Sequence, residues 1–273
     1  MIPVTESIER KSLADLVAAA GPELTAGLGI KAADTGTAYV VLVKALPESA
    51  IVVNRTIGLG LGAAASDDEI DAIVAAYHAA GIARYFVHLH SEAVPATLAA
   101  KLLGHGLEKT RSWMKFARGR ERPPRVATSL EVRRAGPSDA SAFGRIVAAA
   151  FDLGDAAAPW LAHLVGRPGW HVYMSLAGDE PAGTGTMYVD GEVAWLDWGA
   201  TDPRFRGRGG QSAILHRRVE DALDLGCRLL LTETGEAVPG DPQHSYNNIV
   251  RMGFRPDALR ANYAPPRRTA GAP

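Results

Sequence analysis

The chain has 273 residues, 47% of them hydrophobic, with a formal net charge of −1 and a single cysteine, Cys227. That length accommodates two domains with sizeable cores, and the charge balance excludes a protein that tracks nucleic-acid phosphates along a basic surface. One cysteine cannot close an internal disulfide, the N-terminus lacks a signal-peptide pattern, and no stretch approaches the roughly 20 apolar residues of a membrane span, so a soluble cytoplasmic protein is expected.

Apolar, β-branched runs predict strands over Tyr39–Ala45 and Ala50–Thr56. A helix is predicted over Asp67–Ala80, with a cap-like Ser66-Asp67-Asp68-Glu69 start, an apolar Ile70, Ile73, Val74, Tyr77 face and Gly81 as its stop. Ile82–Leu89 reads as a strand, Val94–Leu103 as a helix and Leu107–Phe116 as a strand. Ala117–Ser129 is basic, proline-paired and without hydrophobic period, which marks an exposed connector between two units, residues 1–125 and 126–273.

Beyond it, Leu130–Arg134 reads as a strand, Pro137–Phe151 and Trp160–Val165 as helices, and Trp170–Leu176, Ala182–Val189 and Val193–Thr201 as strands joined by turns at Gly178-Asp179 and Asp190-Gly191. Gly209–Leu225 is an amphipathic helix, Arg228–Thr232 a strand, His244–Met252 a helix and Phe254–Tyr263 a closing strand. From about Ala264 the Pro/Arg/Gly/Ala-rich end is expected to be poorly ordered. The two units end alike in element order and spacing: Ile51–Gly62 parallels Val193–Gly210, Gly81–Leu89 parallels Gly226–Thr232, and Gly104–Phe116 parallels Gly253–Tyr263. That order points to an internal duplication.

The chemistry concentrates between the Val193–Thr201 strand and the helix after it. Gly207, Gly209 and Gly210 permit positive φ and close approach, the first helix amides point outward unpaired, and Arg204, Arg206 and Arg208 supply cations. That is a phosphate cradle. It lacks the Gly-Lys-Ser/Thr ending of a P-loop and the tight Gly-x-Gly turn of the dinucleotide fingerprint.

This segment resembles the Gln/Arg-x-x-Gly-x-Gly/Ala signature of the Gcn5-related N-acetyltransferases, matched at Arg204, Gly207 and Gly209, and Gly253-Phe254 is similar to that family's closing element. The resemblance covers Leu130 to Tyr263, about half the chain. It implies an α/β (α+β) architecture of two such domains, each a mixed, mostly antiparallel twisted sheet flanked by helices. In the tandem arrangement, as in the mycothiol synthase type, one copy is active. The N-terminal copy here, with Gly58, Gly60 and Gly62 but no arginines, is the degenerate one.

The resemblance also implies direct acyl transfer from acetyl-CoA, or another acyl-CoA, to an amine. The Val193–Thr201 and Arg228–Thr232 strands splay, and backbone of Gly199, Ala200 and Thr201 pairs with the pantetheine arm. An amide near Trp198 holds the thioester oxygen, and Arg204, Arg206, Gly207, Arg208, Gly209, Gly210 and Gln211 hold the pyrophosphate. Ser245 and Asn248 contact the coenzyme. The acceptor is a small-molecule or peptide amine, and the acidic Glu233, Glu236 and Asp241 favour a cationic one. Asp197, an acid within the apolar WLDWG run, is the first candidate base and Glu233 the second. The family's thiolate-protonating tyrosine falls on Ile249, a departure; Tyr246, one turn earlier, is the substitute candidate. The alternative is a catalytically silent acyl-CoA-binding regulatory module, and a nucleotide or polyphosphate binder is the third reading. No metal is expected, because His88 and His90 share a strand face without a third ligand. Pairing into a homodimer is left open.

Overall fold

The computed structural model describes residues 1–267. Two helices, α1 (Val4–Ala18) and α2 (Gly21–Leu28), precede the hairpin of β1 (Ile30–Thr35) and β2 (Ala38–Val43). Then come β3 (Arg55–Ile57), α3 (Asp67–Ala79), β4 (Phe86–Leu89), α4 (Leu98–Gly104) and β5 (Glu108–Arg118). The second half runs β6 (Glu131–Arg134), α5 (Ala140–Ala150), α6 (Ala158–Ala162), β7 (Trp170–Ala177), β8 (Glu180–Asp190) and β9 (Val193–Thr201). It closes with α7 (Gly210–Asp224), β10 (Leu229–Gly235), α8 (His244–Arg251) and β11 (Arg255–Ala264).

All eleven strands form one sheet, in the order β1-β2-β3-β4-β11-β5-β10-β9-β8-β7-β6. The expected mixed α/β class, a mixed sheet flanked by helices, is what the chain adopts. Two pairs are parallel, β3 with β4 and β9 with β10, one in each half; the other neighbours are antiparallel. The last strands of the halves trade places. β11 lies between β4 and β5, and β5 lies between β11 and β10.

One face carries α7 and α8 over Leu196, Leu215, Leu230, Ile249 and Phe254. On the opposite face Ile8 of α1 meets Trp195 and Leu231, and α1, α2, α5 and α6 fill the adjoining core around Trp160 and Phe143. A third cluster joins α3 and α4 to β2 and β4. Among the described residues no helix is long and apolar enough to cross a membrane.

Several boundaries differ from the sequence reading, each for a physical reason. Helix α1 was hidden because its buried face carries acids: Glu6 and Glu9 are buried beside Ile8, Leu13 and Leu16. Ala50–Asn54 is a turn rather than strand. Asn54 accepts from the Val43 amide at 2.7 Å and donates to the Val43 carbonyl, so its side chain takes a strand neighbour's place and β3 begins only at Arg55. The connector starts later, since Ala117 and Arg118 pair with Leu231 and Leu230. The terminal tail also starts later: Ala264 is fully buried at the end of β11, and residues 268–273 of the expected tail lie outside the described residues.

Candidate functional site

Strands β9 and β10 pair from Val193 with Leu229 to Leu196 with Thr232, and there the ladder ends. Glu233, Thr234 and Gly235 stay paired with β5, while β9 turns away. A bulge drives the divergence: Asp197 faces Thr186 and Ala200 faces Thr184, so Trp198 and Gly199 oppose Gly185 alone. Trp198 sits at φ +50°, a conformation that costs a side-chain-bearing residue roughly 1–2 kcal/mol.

Four side chains hold this geometry. Asp197 Oδ1 accepts the Trp198 amide at 2.7 Å. The Gln211 amide group donates to the carbonyls of Thr184, at 3.1 Å, and Ala200. Arg218 Nη1 donates to the carbonyls of Thr186 at 2.8 Å and Asp197 at 3.0 Å. The Thr232 hydroxyl donates to the Leu196 carbonyl at 2.8 Å. The Trp198 amide itself is therefore engaged by Asp197.

The arginine-glycine loop follows. Asp202 accepts from the Arg204 amide and guanidinium, and Glu180 takes a second edge of that guanidinium, so Arg204 braces the loop. Gly207 and Gly209 both lie at φ +79°, and a Cβ on Gly209 would come 2.9 Å from the Ala127 carbonyl oxygen. Arg208 lies over the Phe205 ring. Arg206 is exposed, and its side chain makes no hydrogen bond or ion pair among the described residues. Helix α7 then begins at Gly210 without any side-chain cap, leaving its first amides open. In the N-terminal half Gly60 is closed off. The Gly60 amide donates to Thr37 Oγ1 at 2.7 Å, its carbonyl accepts from Val94, and a Cβ there would lie 2.6 Å from the Val94 oxygen.

A cavity of about 300 Å³ opens in the splay. Its wall on the α7/α8 face includes Gln211, Leu215, Arg218, Ser245, Asn248 and Ile249. On the other face stand Asp197, Glu233, Arg55, Trp113 and Phe151. Asp197 Oδ2 also accepts from the Trp195 indole at 3.3 Å, and among the described residues Asp197 meets no cation within ion-pair distance. Glu233 belongs instead to a buried six-charge cluster with Glu6, Glu9, Arg55, Lys115 and Arg260. It sits 2.8 Å from Arg260, 3.0 Å from Lys115 and 3.3 Å from Arg55. Burial, with repulsion from Glu9, pushes the Glu233 carboxyl upward against the pull of those cations. Burial opposes ionisation of Glu9 too, but Arg260, Lys115 and Arg55 outweigh it and hold Glu9 well below the usual carboxylate range.

Of the residues singled out in the sequence, the cavity gathers Asp197, Trp198, Gly199, Gln211, Glu233, Ser245 and Asn248. Ala200 and Thr201 pair with β8, and Arg204–Gly210 leads on to the start of α7. The Tyr246 ring packs edge-on against Phe116, centroids 5.0 Å apart, and is not part of the cavity wall, whereas Ile249 is. Arg55, Trp113, Phe151 and Arg218 escaped the sequence reading. Arg218 was legible as a polar residue seven positions after Gln211, on the sheet-facing side of α7. Trp113 reaches the cavity because β5 takes the place beside β10, which no local pattern signals.

No family model matches the chain and no curated protein matches it. Solved structures do. One is described as a GCN5-related N-acetyltransferase from Kribbella flavida, with 15% identity and a TM-score of 0.65 over 98% of this chain and 97% of that one. Another, of the same description from Sphaerobacter thermophilus, has 16% identity and a TM-score of 0.58 over 85% and 81% of the two chains. A functionally unknown conserved protein from Staphylococcus epidermidis ATCC 12228 is similar at 9% identity, with a TM-score of 0.56 over 87% and 94%. At such identities the likeness establishes the fold, and the first similarity spans both halves of the chain.

Proposed function

We propose that the protein is an acyl-CoA-dependent N-acyltransferase that moves an acyl group, acetyl in the simplest case, directly from the thioester to an amine. The observation that carries this reading is the splay of β9 from β10, opening on one side to the arginine-glycine loop and on the other to two carboxylates. A phosphate-bearing end would rest on the open amides of α7 with Arg206 and Arg208, and the pantetheine arm would follow the exposed Gly199 edge of β9 into the gap. The amine would enter from the opposite face, past Trp113 and Phe151.

Asp197 is the better base. A general base must gain a proton as the amine attacks, and Asp197 meets only two N–H donors. Protonating Glu233 would remove one of the carboxylates that Arg55, Lys115 and Arg260 share. We assign Glu233 to drawing a cationic amine toward the gap and fixing the field around it. With Ile249 at the cavity wall, water protonates the departing thiolate. The division into residues 1–125 and 126–273 fits two related copies, of which the second holds the coenzyme. The first has its glycine loop filled by Val94 and supplies Arg55 and Trp113 to the acceptor side.

The test is CoA release measured across an amine library with acetyl-CoA as donor. Asp197→Asn should lower turnover about 10²–10⁴-fold while leaving acetyl-CoA affinity in place. Tight acetyl-CoA binding with no CoA release from any amine would replace this reading by the silent coenzyme-binding module.

A further inference from the structure

We infer that the acyl chain this protein accepts from the coenzyme ends in a free carboxylate, and that Arg218 receives it. The inference rests on the coenzyme reading of the cavity and adds the chemistry of the group transferred.

Arg218 is 4% exposed and stands in the cavity wall. It lies eight residues along α7 from Gly210, about 12 Å at the helical rise, so it sits deep in the splay while the helix start faces the proposed phosphate end. A buried guanidinium without an anion is costly, and proteins pair such charges. This molecule obeys that rule on the opposite face. There Arg55 meets Glu9 at 2.8 Å, Lys115 meets Glu233 at 3.0 Å and Arg260 meets Glu233 at 2.8 Å. Arg218 meets no carboxylate at ion-pair distance among the described residues; its two partners are the carbonyls of Thr186 and Asp197. Burial pushes it down to about 10.

Both of those carbonyls are bound by Nη1. Nε has no partner, and Nη2 makes no hydrogen bond among the described residues. Nε and Nη2 are the two nitrogens whose N–H bonds run parallel, the edge that grips a carboxylate with two bonds. The unspent edge thus has the geometry of a carboxylate receptor. Its place decides which substrate brings the anion. Arg218 comes from α7, on the coenzyme side of the sheet, whereas Asp197 and Glu233 project from the other face, where the amine approaches. Malonyl and succinyl groups carry the required chemistry on short chains ending in a carboxylate.

The experiment is calorimetric binding of acetyl-, butyryl-, malonyl- and succinyl-CoA to the full chain. Butyryl-CoA controls for chain length without charge. The wild type should bind malonyl- or succinyl-CoA about tenfold or more tightly than butyryl-CoA. Arg218→Met should erase that preference, read as the ratio of succinyl- to butyryl-CoA affinity within the variant, because the substitution also releases the Thr186 and Asp197 carbonyls. Arg218→Lys, which keeps the charge but loses the two-bond edge, should shrink it. If Arg218→Met does not fold, the wild-type comparison and the lysine variant decide. Equal binding of succinyl- and butyryl-CoA, or a preference that survives in the methionine variant, overturns the inference and leaves the acyltransferase reading standing. Failure of all four thioesters to bind overturns both.

Discussion

Glu9 stands at the centre of the buried charge cluster, within reach of Arg55, Lys115 and Arg260 at once. Replacing it by glutamine leaves three buried cations to share Glu6 and Glu233. Glu9→Gln should therefore cost about 3–5 kcal/mol in urea unfolding, and Lys115→Met added to it should recover part of that loss. His88 sets the acid limb of stability. Its Nδ1 is 2.6 Å from Asn262 Oδ1, and burial, then Arg260 and Arg55, hold the ring well below the ordinary histidine value of 6.5. As pH falls below about 6.5 the unfolded chain takes up a proton that the folded chain refuses, so stability falls with pH from there. Glu9 acts lower down: its contribution is present above its unfolded value near 4.5 and is lost as pH falls through its depressed folded value. Unfolding free energy measured from pH 8 to pH 5 should decline below about 6.5, and His88→Gln should flatten that decline. At this scale the acid in WLDWG was readable, because a carboxylate in an apolar strand demands an explanation. The cluster was not, because its members lie on five elements and meet only in the finished sheet.

The bulge of β9 and the start of α7 work as one element. Gln211 and Arg218 reach from the helix to carbonyls on β8 and β9 around the bulge, so displacing the helix would release the strained Trp198. Two substitutions in the preceding loop should separate fold from function. Gly209→Ala meets both a positive φ and the Ala127 oxygen, so it should lower the melting temperature and weaken acetyl-CoA binding. Arg206→Ala removes a side chain that bonds nothing among the described residues, so it should leave the melting temperature unchanged and weaken acetyl-CoA about tenfold. Long amphipathic elements such as α3 and α7 were legible because their apolar period matches their length. Helix α1 was not, since its buried side is built from glutamates, and β3 was misplaced because Asn54 ends a turn with a side chain that imitates backbone.

For the molecule as a whole, element order was legible and partner choice was not. The succession of strand, helix and glycine turn repeats through both halves, but nothing local tells β5 that its neighbours will be β10 and β11. Pairing over so many residues is settled by burial of the complete sheet. Each half surrenders its final strand to the other, so neither half should fold alone. Residues 1–125 and 126–273 expressed separately should be unfolded or aggregated, and together they should recover a soluble complex. The intact chain should melt in a single transition, with tryptophan fluorescence and circular dichroism coincident.

The exchange of β5 and β11 also imposes an order in time. Among the described residues β11 is the last regular segment in chain order, yet its place is between β4 and β5, in the part made first. Until residues 255–264 emerge, β4 and β5 flank a gap one strand wide, with unpaired backbone along both sides. The nascent chain therefore carries an open slot between β4 and β5 until β11 is made. Stop codons placed even shortly before β11 should yield chains bound by chaperones or degraded, although nearly every other element has been made.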